Sequence, residues 1–86
     1  GWHSGAFLAE QMAWREALDD AEAEAAIDAL RQVVKRREAG LFETAARELD
    51  DVGGSPARAA EAVRSLMFVE RFLKDIERRR DALFPL

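Results

Sequence analysis

Cysteine and tyrosine are absent from this 86-residue chain; proline occurs twice and histidine once. Without cysteine there are no disulfides, no thiolate metal sites and no cysteine nucleophile, and the composition fits a reducing compartment. The lone histidine, His3, lies in the patternless start Gly1 to Ser4, read as a frayed or residual linker. It leaves Ser4, Thr44, Ser55 and Ser65 without a base for a catalytic triad. Gly53-Gly54 lacks the spacing and the lysine of a phosphate loop. No apolar run approaches the ~18–20 residues of a membrane span, and no basic start leads into an apolar segment as in a signal peptide. A basic excess is missing too. The net charge of −4 argues against a nucleic-acid footprint. Asp19, Asp20, Glu22, Glu24 and Asp28 crowd one stretch but lack the spacing of a calcium loop, so they read as a solvated acidic turn and not a metal site. Nothing in the chain calls for a cofactor.

What is present is helix-forming material. Seventeen alanines, few β-branched residues and no strand-like alternation point to an all-α domain. At this length the core is marginal, which favours simple helical packing over an architecture with cavities.

The first helix is expected from Gly5 to about Ala23, with Ser4 able to cap it. At 100° per residue Phe7, Trp14, Leu18 and Ala21 fall within about 60° of one another and form a core-facing stripe. Carrying that rotation forward puts Ile27, Leu30, Val34 and Leu41 at about 140–200°, on the opposite side. One straight helix cannot face a single core with both sets, so a turn is expected within Asp20 to Glu24. The second helix carries the seam Ile27, Leu30, Val34, Leu41, Ala45 and Val52, flanked by Phe42 and Leu49. The seam keeps phase across Gly40, which predicts one long helix there, a break into two being the alternative. Gly53 is placed as the residue ending this helix, Ser55 as the N-cap and Pro56 as the first residue of the third. The third helix runs to about Phe84, before Pro85, with the seam Ala59, Ala62, Leu66, Val69, Leu73, Ile76, Arg80 and Leu83. Three helices with short links make an antiparallel up-down-up bundle in which the two long helices pair and the short one lies across or beside them. The basic runs at 31–37 and 78–80 read mostly as solvent-facing partners of acids on their own helices.

The first helix has more apolar surface than its stripe needs. Leu8 and Met12 lie about 120° from the stripe, beside Ala9 and Ala13, with Glu16, Asp19 and Asp20 following. Phe68 and Met67 are likewise off the seam of the third helix, Phe68 by about 110°. Either another helix of the domain covers these residues or they form a surface patch for a partner.

AFLAEQMAWREALDDA, followed by AAEAVRSLMFVERFLKDIERRRDAL, resembles the C-terminal domain of HscB-type co-chaperones, J-proteins of iron–sulfur cluster assembly. The likeness runs from Gly5 to about Leu83 and rests on the FL-x-EQM-x-x-RE-x-L run and on Arg64, Leu66, Phe68, Phe72 and Leu73. It implies a three-helix bundle that binds the iron–sulfur scaffold protein (IscU-like) through an acid-rimmed apolar patch. Carried onto this sequence, the patch is Leu8, Ala9, Met12 and Phe68, and the rim Arg15, Glu16 and Asp20. Family members often have a bulky apolar residue where Ala9 stands and an acid where Ala13 stands, so patch and rim are both reduced here. The family's J-domain, whose His-Pro-Asp motif acts on an Hsp70-type chaperone (HscA-like), has no counterpart in this sequence. The expectation is therefore a non-enzymatic, monomeric binding domain, residues 5–86, of a bacterial cytoplasmic co-chaperone. The alternative is a self-association module in which the same patch makes a symmetric dimer. A weaker likeness, of DALRQVVKRREA to helical chorismate mutases, would need several basic side chains in an interior pocket.

Overall fold

The computed structural model describes residues 5–50 and 52–85. They form three helices: α1, Gly5–Asp20; α2, Glu24–Asp50; and α3, Pro56–Leu83. The possible cap at Ser4 lies outside the described residues, as do His3 and the rest of the start.

The phase conflict between the first two apolar stripes is resolved at residues 21–23, where the chain leaves α1. Ala21 is buried there, and its N–H donates to the Leu18 carbonyl. Glu24 opens α2, where its charge favours the positive end of the helix dipole. α2 runs unbroken through Gly40, and Thr44 Oγ1 donates back to the Gly40 carbonyl at 3.0 Å. At the start of α3, Ser55 Oγ accepts from the Arg58 N–H and Pro56 takes the first helical position. Glu48 reaches forward to accept from the Ser55 N–H at 2.8 Å, tying the α2–α3 link to the helix before it.

Contacts in the bundle fix its directions. Glu24 meets Arg80 and Arg31 meets Glu77, so α2 and α3 are antiparallel. Trp14 meets Phe72, Arg15 meets Asp75 and Asp19 meets Arg79, so α1 and α3 are parallel. The core joins Trp14, Leu18 and Ala21 with Ile27, Leu30, Val34, Leu41 and Ala45, and with Ala62, Leu66, Val69, Phe72 and Ile76. Phe7, Leu73 and Phe84 pack against its edge. The Cα trace is 48 Å long, whereas sixteen residues of α1 rise only about 24 Å. Phe7, near the start of α1, lies level with Leu41 of α2 and Ala62 of α3; toward the α2–α3 link beyond it the hairpin is two helices thick, and Leu49 is exposed there.

Three expectations are corrected. Val52 is not a seam residue: α2 ends at Asp50, and Val52 lies fully exposed in the link. Gly53 does not end α2 through a left-handed turn, since no described glycine has positive φ. In α3 the buried member is Phe72, with Leu73 only partly buried and Leu83, at the helix end, exposed. A seam derived for one partner missed this because α3 packs against two helices. Phe72 lies about 80° round from the seam, on the flank that meets α1.

Candidate functional site

α1 turns its stripe to the core, and geometry then obliges its other apolar residues to face outward. Leu8 is 60 % exposed and Met12 64 %, and neither α2 nor α3 covers them. Phe68 of α3 is 49 % exposed. Its half-buried ring stands between two adjoining grooves formed by α1 and α3. The larger, about 520 Å³, has an apolar lining of Met12, Phe68 and Phe72, and a polar lining on α1 of Arg15, Glu16, Asp19 and Asp20. The smaller, about 320 Å³, joins Leu8 and Phe7 to Phe68. Phe68 thus connects Leu8 and Met12 into one surface across the helix boundary. Ala9 is exposed on the same side of α1, outside both grooves.

Arg15, placed on the rim by sequence, also braces the two helices that make the groove. Its Nη2 donates to Asp75 Oδ2 at 2.7 Å, and its guanidinium carbon lies 4.8 Å from the centre of the Phe72 ring. Arg78 donates to the other oxygen of Asp75. The Arg15 hydrogen bond is the chief reason that the Asp75 carboxyl titrates below its ordinary value. Partial burial opposes that shift, and the charges of Arg15 and Arg78 add to it. A carboxyl whose folded value is lowered contributes stability above its ordinary value and loses it as the pH falls through the folded value. Asp75→Asn is therefore expected to cost about 0.2–1 kcal/mol at neutral pH, because the pair is partly exposed, and nothing in strongly acid solution. Unfolding of both proteins across pH 2–7 checks this, and a pH-independent difference contradicts it.

Two of the expected same-helix pairs form, Arg31 with Asp28 and Arg78 with Asp75, but the basic residues also cross between helices. Arg37 reaches Glu10 of α1 at 2.9 Å, and Arg31 reaches Glu77 of α3 at 2.8 Å, so both tie helices together. Arg80, on the α3 seam, carries its head to Glu24 and sits 3.6 Å from Asp28. Among the described residues no charged or polar side chain is buried in the core, so no interior basic pocket of a chorismate-mutase kind exists there. Nor does any cluster of three or more His, Cys, Asp or Glu among them present a metal site. Among the described residues no helix is long and apolar enough to cross a membrane.

Sequence reasoning left Gln11 of α1 and Arg71, Phe72 and Asp75 of α3 out of the site, and all four line the larger groove. The Phe72 signal was there, in its place beside the seam; for Asp75 there was none, since its partner is sixty residues away.

A three-helix bundle with an exposed apolar face beside a groove lined by acids and by Arg15 and Arg71 is a helical module that presents a surface. The chain belongs to the family of the HSCB C-terminal oligomerisation domain, which it matches over residues 3–77. It is 41% identical over 80 residues to a co-chaperone protein HscB homolog of Azoarcus sp. (strain BH72), covering 90% of this chain and 45% of that protein. The HscB homolog of Ralstonia nicotianae is 40% identical over 91% of the chain and 46% of its own length. That of Aeromonas hydrophila is 37% identical over 92% and 47%. The chain thus spans a little under half the length of these curated relatives. No solved structure matches it.

Proposed function

We propose that this domain is the scaffold-docking part of a J-protein co-chaperone of iron–sulfur cluster assembly, working in the bacterial cytoplasm. Its Leu8–Met12–Phe68 face binds an IscU-like scaffold protein, with Ala9 at its edge and Arg15, Glu16 and Asp20 along the rim. In the whole protein a J-domain then brings the scaffold to an HscA-like Hsp70 chaperone. The domain itself binds and does not catalyse. The observation that carries this reading is the continuity of the exposed Leu8, Met12 and Phe68 across two helices, joined by two adjoining grooves that share Phe68.

The physical division of labour is simple. Desolvation of the three apolar side chains supplies affinity. The acids of the rim supply orientation and encounter rate, which makes association sensitive to salt. A face this small gives a transient complex, with Kd on the order of micromolar. Chemical-shift mapping with unlabelled scaffold protein tests the assignment. Shifts should concentrate at residues 8–20 and 64–72; shifts confined to the distal end of the hairpin, around Leu49 and Val52, contradict it.

The family's description as an oligomerisation domain favours a second reading, in which the same face pairs two copies of the domain. Sedimentation equilibrium separates the two. A single monomeric species at all concentrations supports the first reading, and a concentration-dependent dimer abolished by Leu8→Ala supports the second.

A further inference from the structure

The three consecutive arginines near the end of α3 do three different things. Arg78 holds Asp75, and Arg80 holds Glu24 at the start of α2. Arg79 holds backbone: its Nη2 donates to the carbonyl oxygen of Asp19 at 3.0 Å and to that of Ala21 at 3.2 Å. Those are carbonyls at and just beyond the C-terminus of α1, where a helix leaves its last acceptors unsatisfied. α1 has no basic residue in its own last turn. It ends instead on Asp19-Asp20, two negative charges at the negative end of the helix dipole. This helix end is thus electrostatically unfavourable by its own sequence, and the missing cation is delivered from α3. The bond to the Ala21 carbonyl is partly buried and the one to Asp19 is exposed, while the shielded Arg79 Nε has no hydrogen-bond partner.

The consequence falls on the docking groove. Asp19 and Asp20 line it, one turn beyond Glu16, and their direction is set by the last turn of α1. We infer that Arg79 is a positioning residue for the docking face: by capping the end of α1 it fixes where the acids of the groove stand. Arg79 does not line the groove itself. The inference rests on the docking reading above and adds to it a residue that touches no partner.

The test has one arm that needs no partner and one that does. In hydrogen–deuterium exchange, Arg79→Ala should speed exchange of the amides of residues 17–21 by about tenfold while the core amides of α2 and α3 stay protected. Arg79→Lys, which keeps a donor and the charge, should restore part of the protection. No acceleration at 17–21 overturns the inference, and so does acceleration spread evenly over all three helices. In calorimetric titration of the scaffold protein, Arg79→Ala should weaken binding by roughly fivefold. That loss should disappear in a background of Glu16→Gln, Asp19→Asn and Asp20→Asn, where there are no acids left to position. An equal loss in both backgrounds overturns the inference, as does no loss in either. If the unaltered domain does not bind the scaffold at all, it is the docking reading that fails, and Arg79 is then a helix cap with no part in docking.

Discussion

Trp14→Ala is expected to destabilise the domain by about 3–5 kcal/mol. Trp14 is 6 % exposed, and its ring stacks on Phe72 with centroids 5.8 Å apart. It is the largest side chain by which α1 is seated on the α2–α3 hairpin. A domain of this size has about 4–13 kcal/mol of stability in all, so the substitution removes a large share of it. Part of the loss is transfer and cavity energy, and about 0.5–1.5 kcal/mol belongs to the aromatic pair. Thermal unfolding followed by circular dichroism should show the midpoint falling by more than about 12 °C. A loss below about 1 kcal/mol would mean that α1 is not held by this stack, and the packing described for α1 would then be wrong.

Phe68→Ala should do the reverse, leaving stability within about 1 kcal/mol and weakening scaffold binding at least about tenfold. The contrast with Leu66, two residues away, makes this a sharp expectation. Leu66 is 6 % exposed and belongs to the core, whereas Phe68 is half exposed between the two grooves. Leu66→Ala should cost roughly 2–5 kcal/mol of stability. The two substitutions on one helix thus separate a residue that holds the fold from one that serves its surface. If Phe68→Ala unfolds the domain, Phe68 is core and the docking face loses its centre.

Helical phase carried most of the fold. Ile27 and Leu30 fall on the opposite side of a continuous helix from Trp14 and Leu18, and that conflict alone requires the turn found at residues 21–23. Ser55 and Pro56 marked the start of α3 because capping chemistry is local. Phase also picked out Leu8, Met12 and Phe68 as surplus, since a stripe has a limited width. What phase alone does not contain is a second neighbour. Phe72 is buried because α3 meets α1 as well as α2, and a single seam cannot express two packing directions. Val52 kept the phase of its seam but falls in the link after α2, where helical phase has no meaning. The ion pairs show the same limit. Arg15–Asp75 and Arg37–Glu10 depend on how helices are set against each other, while sequence spacing offers only partners three or four residues away. Arg79 was least legible of all, because its acceptors are backbone carbonyls and carry no residue signature.

The most direct measurement is a calorimetric titration of this domain into the iron–sulfur scaffold protein, run in parallel with Phe68→Ala. Saturable one-to-one binding is expected, with Kd on the order of micromolar, lost or weakened at least about tenfold in the variant while its folding is retained. Binding that is the same in both proteins, or none in the unaltered domain, would contradict the docking reading.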